Sequence, residues 1–423
     1  MAPKRYVFAL LVGAGLLSTT GCAATYEKAL QRDLSSAEAQ FAHQIAASAE
    51  QAGEMPVSKI EGGLSGYLAY AMRQSPALRA SFERWRASVY RISQARRLPE
   101  PSISFGVFVQ SVETRVGPQL ARISLQQSFP WPTKLTAGAD AASAQARALQ
   151  RRFDAQVLML RQAVAETYWR VWRIRKTRAT PAEHLDVLRS LSESVSARIA
   201  TGAATLAEQQ QVDLAAARLE DMLRGMDETE QAAEAQLRAL LGAPASMALP
   251  TPGPPPEDGL PSEAKETLVA SARAHPRITS LQFMAEAQES TARSAFADRL
   301  PGFTIGADWI ITGDASLAGV SDSGKDAVVV GVGIRLPLWQ ASYADSVDAL
   351  RAEADGQRAE ARAAADGAMA ELELHLSSVR DAVRRVGLFR DTLVPQAQSA
   401  YQSVLGAYVT GRGSVAQALL AQR

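Results

Sequence analysis

Hydrophobic positions in this chain recur with two different periods, and the order of those periods occurs twice. Between Leu64 and Arg97, apolar residues at Leu64, Leu68, Met72, Phe82, Trp85, Val89 and Ile92 keep helical spacing. Pro76 interrupts this run and Leu98-Pro99-Glu100-Pro101 stops it. Period two follows. Ile103, Phe105, Val107 and Val109 alternate with Ser102, Ser104 and Gly106; beyond a polar turn, Ala121, Ile123 and Leu125 alternate with Arg122, Ser124 and Gln126. Phe129-Pro130-Trp131-Pro132 ends the alternation with aromatics. An Ala-, Gln-, Arg- and Leu-rich helical run then extends from Thr133 nearly to Ala200, roughly 100 Å at about 1.5 Å per residue. Pro181 is expected to break or restart it, and Leu206 to Leu241 returns as a second helix.

The same order reappears downstream. Leu268 to Arg299 is again helical, Ala274-His275-Pro276 answers Gln74-Ser75-Pro76, and Arg299-Leu300-Pro301 answers Arg97-Leu98-Pro99. Phe303, Ile305, Ala307, Trp309 and Ile311 face one way against Thr304, Gly306, Asp308 and Thr312. Val328, Val330, Val332 and Ile334 alternate with Gly331, Gly333 and Arg335. A helical run from Ala341 to Tyr408, broken near Pro395, ends the pattern. Each long run meets a Thr-Gly: Thr201-Gly202 in the first copy, Thr410-Gly411 in the second. A glycine there can take the left-handed conformation that stops a helix, and Thr205 and Ser414 can cap the next one. Both places read as hairpin tips.

The expected organisation is a duplicated helix–strand–strand–long helical hairpin unit, mainly α with a small β part. Residues 1–21 form a signal peptide, 22–60 a tether and 61–242 the first repeat, with strands near 102–110 and 119–128 and a tip near 200–205. Residues 243–261 form a Pro/Gly-rich linker, and 262–423 the second repeat, with strands near 303–312 and 327–336 and a tip near 409–414. Aligning the tips pairs Arg423 with Leu214, so the last returning helix reads as incomplete and roughly 30 further residues are expected.

Composition narrows the function. A net charge of +1 over 423 residues gives no electrostatic case for nucleic acid. The single cysteine, Cys22, excludes an internal disulfide framework and a cysteine-rich metal site. His43, His184, His275 and His375 stand apart in sequence, so no metal site is assigned. Met222 and Met226, one turn apart, read as helix packing rather than soft-metal contact. No nucleophile elbow, phosphate-cradling loop or paired-carboxylate constellation points to an enzyme or a cofactor. Lys4 and Arg5 before the apolar run Tyr6 to Leu17 mark an export signal. Each strand has the length of a tilted membrane-crossing strand with one apolar face. A sheet edge cannot face lipid, and four strands are too few to close a barrel, so other copies of the chain must complete it.

Ser18-Thr19-Thr20-Gly21-Cys22 resembles the bacterial lipobox, with Thr19 where that pattern carries an aliphatic residue. The resemblance implies a diacylated Cys22 as mature N-terminus, and Ala23 after it implies sorting to the outer membrane. The duplicated order as a whole resembles the TolC-like outer membrane factors. The features that carry it are the Pro76 and Pro276 helices, Arg-Leu-Pro before each strand pair, Phe129-Pro130-Trp131-Pro132-Thr133-Lys134, and above all the two tips. The resemblance implies a homotrimer sharing a 12-stranded transmembrane β-barrel on a long periplasmic α-helical barrel. It also implies a periplasmic adaptor and an inner-membrane pump as partners. Thr201, Gly202, Thr205, Gly411, Gly413 and Ser414 become adaptor-contact candidates. Glu208 and Gln417 stand at the position where the family places an inward-facing acidic gate. The Phe-Pro-Trp-Pro segment is similar to members serving heavy-metal exporters of the resistance-nodulation-division class. The expected function is therefore the outer-membrane channel of a tripartite efflux system. The alternative is a periplasmic adaptor lipoprotein, which would carry one hairpin between matching halves of compact β-domains.

Overall fold

A computed structural model describes residues 28–39, 60, 63–255, 263–410 and 412–422. The chain is mainly helical with a small sheet. Its elements are α1 (28–39), α2 (Gly63–Gln74), α3 (Pro76–Ala95), β1 (Ser102–Val107), β2 (Glu113–Thr114), β3 (Gly117–Phe129), α4 (Pro132–Ala200) and α5 (Leu206–Leu241). After the linker come α6 (Lys265–Arg273), α7 (Pro276–Phe296), β4 (Gly302–Thr312), β5 (Ala327–Arg335), α8 (Gln340–Leu388), α9 (Val394–Val409) and α10 (Val415–Gln422).

Two compact units emerge. The first holds Arg84–Gln150 and Ser280–Ala359 with residues 28–39. Its sheet runs β1-β3-β4-β5, antiparallel throughout, with β2 paired only to β3. Small residues let its helices approach closely: Ala144, Ala146, Ala148, Ala292 and Ala354 are all but fully buried. The Ser280 hydroxyl donates to the Ala148 carbonyl at 2.8 Å and the Ser294 hydroxyl to that of Lys134 at 3.0 Å, which fixes α7 along α4. Part of the expected tether is packed here, since Leu30 and Leu34 on α1 are buried and Glu38 pairs with Arg86 at 2.9 Å.

The second unit holds Arg151–Thr279 and Glu360–Arg423, together with α2 and the start of α3. Here α4 and α5 form an antiparallel hairpin laced by ion pairs: Arg175 with Glu230 and Glu234, Arg178 with Asp227 at 2.7 Å, and Arg189 with Glu220 at 3.0 Å. These pairs also explain a correction. No break occurs at Pro181, and α4 passes through it. The proline frees one carbonyl, that of Thr177, which is exposed and so reaches water, while buried Leu185 and Leu188 hold the following turn. Near Pro395 the helix is instead interrupted by a π turn, Phe389–Leu393, whose wider hydrogen bonding accommodates the missing proline N–H.

The described part of the linker is strapped down. The Tyr67 hydroxyl donates to the Pro250 carbonyl at 2.6 Å, the Gly253 N–H donates to the Tyr168 hydroxyl at 2.8 Å, and Arg238 Nε donates to the Met247 carbonyl at 2.8 Å. Burial, with Tyr168 alongside, pushes the Tyr67 phenol up to about 12. Gly242 ends α5 in the left-handed conformation, φ 69°, directly against the junction of α2 and α3. A Cβ there would lie 2.5 Å from the Gln74 carbonyl oxygen.

Hairpin tips and a two-faced sheet as candidate functional sites

Both tips are built from matched caps. At the first, the Gly202 N–H donates to the Ile199 carbonyl at 3.0 Å and the Ala203 N–H to that of Arg198 at 2.8 Å, with Gly202 at φ 72°. Thr205 then starts α5 by a capping box: its Oγ1 accepts from the Glu208 N–H at 3.3 Å, and Glu208 Oε2 accepts from the Thr205 N–H at 2.8 Å. At the second tip, the Arg412 N–H donates to the Ala407 carbonyl at 2.8 Å. The same box follows: Ser414 Oγ accepts from the Gln417 N–H at 3.3 Å and Gln417 Oε1 from the Ser414 N–H at 3.1 Å. The two gate candidates therefore share a local role, each closing a helix cap. Gly413 lies against its helix end, where a Cβ would meet the Tyr408 nitrogen at 3.0 Å. Gly411 and Cys22 lie outside the described residues.

The tips share one core of buried Leu188, Val195, Val212, Tyr408 and Val415. The guanidinium of Arg198 sits 5.0 Å from the centre of the Tyr408 ring and donates to the carbonyls of Tyr408 at 3.4 Å and Ala203 at 3.3 Å. Sequence reading missed this contact, because Arg198 and Tyr408 are 210 positions apart and no local pattern pairs them. What the tips leave exposed is Thr201, Gly202, Thr205 and Leu206 on one, and Thr410, Arg412 and Ser414 on the other. Met222 is 54% exposed, and no metal-binding group of His, Cys, Asp or Glu forms among the described residues.

The sheet separates apolar from polar side chains completely enough to define two surfaces. Register puts Ile103 beside Leu125, Phe105 beside Ile123, Ile123 beside Trp309 and Trp309 beside Val328. This face is bare, with Phe105 at 77% and Val330 and Val332 at 67% and 69% exposure. On the opposite face Ser124 lies beside Asp308, Ser128 beside Thr304 and Gly306 beside Gly331. Arg122 reaches Asp308 at 2.8 Å there. The outer strands β1 and β5 each have a single partner, so the sheet has two open edges. No helix among the described residues is long and apolar enough to cross a membrane.

No family model matches the sequence, and no curated protein matches it. Solved structures do match. VceC, an outer membrane protein of Vibrio cholerae, is similar at 23% identity and TM-score 0.64, over 85% of this chain and 89% of its own. CusC is similar at 15% identity and TM-score 0.69, over 85% of each chain. The open-state MtrE outer membrane channel of Neisseria gonorrhoeae is similar at 15% identity and TM-score 0.65, over 85% of this chain and 82% of its own. The fold of this chain is that of the TolC-like outer membrane factors.

Proposed function

We propose that the protein is the outer-membrane duct of a tripartite efflux system, taking solute from an inner-membrane pump through a periplasmic adaptor. The observation that carries this reading is the sheet: one apolar face left bare across all four strands, one polar face, and an unpaired edge on either side. Exposed Val, Ile and Phe at that density suit lipid contact, and open edges in lipid need partner strands, since each unpaired backbone group there costs about several kcal/mol. Three copies, each giving four strands, close a 12-stranded barrel. The twofold recurrence of helix pair, strand pair and long helix supports a duplicated unit. Exposed Thr201, Thr205, Arg412 and Ser414, set on rigid caps over a shared core, form the surface that meets the adaptor. Lipidation of Cys22 anchors the chain beside the barrel. The cargo is set by the pump, and the resemblance of Phe129 to Pro132 to metal-exporter partners is the pointer to heavy-metal cations.

Native mass measurement of the protein extracted from outer membranes tests the assembly, with three copies expected and acyl chains on Cys22. A protein that stays monomeric in the membrane with its strands intact refutes the duct.

A further inference from the structure

The polar face of the sheet carries very few charges, and they do not balance. Following the register, this face presents Ser102, Ser104 and Gly106 from β1, then Arg122, Ser124, Gln126 and Ser128 from β3. Strand β4 adds Gly302, Thr304, Gly306, Asp308, Ile310 and Thr312, and β5 adds Val329, Gly331, Gly333 and Arg335. Only Arg122, Asp308 and Arg335 are ionised. Arg122 and Asp308 cancel, joined at 2.8 Å and 3.0 Å, with the Ser124 hydroxyl also donating to the carboxylate. Arg335 remains.

Its place is defined. Arg335 faces Gly302 in the ladder, and its guanidinium lies across that glycine, with Nε 3.5 Å and one terminal nitrogen 3.7 Å from where a Cβ would stand. It is exposed and borders a cavity of about 380 Å³ shared with Ser128, Thr304, Arg97, Glu100 and Lys134. The other charges around that cavity pair off: Arg97 with Glu100 at 3.3 Å, and Lys134 with Asp298. Arg335 therefore supplies the unneutralised charge on the polar face of the strands at this end of the sheet. A residue anchoring the barrel in headgroups would belong to the opposite, apolar face, with Val328, Val330, Val332 and Ile334. At the other end of the strands the loops are net acidic, with Glu113, Asp314, Asp322 and Asp326 against Arg115 and Lys325, so the excess positive charge of the polar face lies at the base.

Resting on the duct reading above, we propose that Arg335 is a specificity-determining residue. One copy from each protomer forms a cationic ring on the inner wall of the barrel, where the strands meet the helices. A ring of like charge on the wall of a water-filled pore concentrates counter-ions and repels co-ions. The solute class it favours is anionic or neutral, and a metal would pass it more readily as an anionic complex than as a bare divalent cation.

The test uses the full-length lipidated protein in planar bilayers, with potassium chloride held at different concentrations on the two sides. Reversal potentials give the chloride-to-potassium permeability ratio for wild type, Arg335→Gln and Arg335→Glu. The ratio is expected to fall at least about twofold in Arg335→Gln and further in Arg335→Glu. Arg122→Gln, which leaves Asp308 unpaired on the same wall, should lower it as well. Pores of unchanged selectivity in both Arg335 variants overturn the ring while leaving the duct standing. Failure of the wild-type trimer to form any pore overturns the duct reading and the ring together. If Arg335→Glu does not assemble, the nearly isosteric Arg335→Gln decides alone.

Discussion

Replacing Gly242 by alanine should cost far more than the same change at Gly202, although the two backbones are alike. Both glycines end a helix in the left-handed conformation, at φ 69° and φ 72°, and both are followed by the same pair of closing hydrogen bonds. The conformational penalty for a Cβ is common to them, about 1 kcal/mol. At Gly202 a Cβ meets nothing within 4 Å. At Gly242 it would stand 2.5 Å from the Gln74 carbonyl oxygen and 2.9 Å from Pro76 Cδ. A helix-end carbonyl and a proline ring have no rotamer to yield with, so the backbone must shift, adding about 1–3 kcal/mol. Hydrogen exchange reads the difference locally. The amide of Ala203, bonded to Arg198, and that of Ala243, bonded to Arg238 at 2.9 Å, report equivalent closing bonds. Exchange should accelerate about fivefold at Ala203 in Gly202→Ala and about 30-fold or more at Ala243 in Gly242→Ala. Equal acceleration at the two sites refutes the idea that the end of α5 is clamped against the α2–α3 junction.

The two capping boxes are natural controls for each other: Glu208→Gln gives the first tip the acceptor already used at the second, so it should leave thermal stability nearly unchanged, whereas Thr205→Ala or Ser414→Ala should each cost about 1 kcal/mol. Equal losses for Glu208→Gln and Thr205→Ala would mean that the carboxylate does something beyond capping. Tyr67 is neutral in the folded chain up to about pH 12 against an ordinary value of 10.0, so its contribution to stability is whole below pH 10 and disappears as pH rises through the folded value. Phenolate absorbance should show a last-ionising tyrosine that Tyr67→Phe removes, and survival of that component in the variant would assign it elsewhere.

The sheet and the caps were legible because their rules are local. Alternation of Phe303, Ile305 and Trp309 against Thr304 and Asp308 assigns the faces without any knowledge of neighbours, and Thr205 with Glu208 three residues on is a cap wherever it occurs. Glu208 and Gln417, chosen as gate candidates from their position after the tip glycine, each also make a reciprocal bond to their own helix start. Pro181 did mislead: the local rule says break, and the ion-paired partner helix overrides it. The Tyr67 and Tyr168 strap, the Arg198 contact on Tyr408 and the isolation of Arg335 depend on which distant residues meet. No spacing in the chain encodes those meetings.

The central strand pair of the sheet carries a consequence for biogenesis. β3 and β4 are hydrogen-bonded along nearly their whole length, yet Arg122 and Asp308, neighbours on that ladder, are separated by 186 positions. On the duct reading, β1 and β3 exist only as an isolated hairpin while the chain is being exported, and two strands alone are marginal in water. Closing so long a loop is slow, and β3 keeps an unpaired edge until β4 arrives. The interval is a window for aggregation, set by the rate at which the second half of the chain emerges. Cells making this protein should depend on a periplasmic holding factor during that interval, and slowing translocation between residues 130 and 300 should lower the yield of assembled protein without altering its final stability.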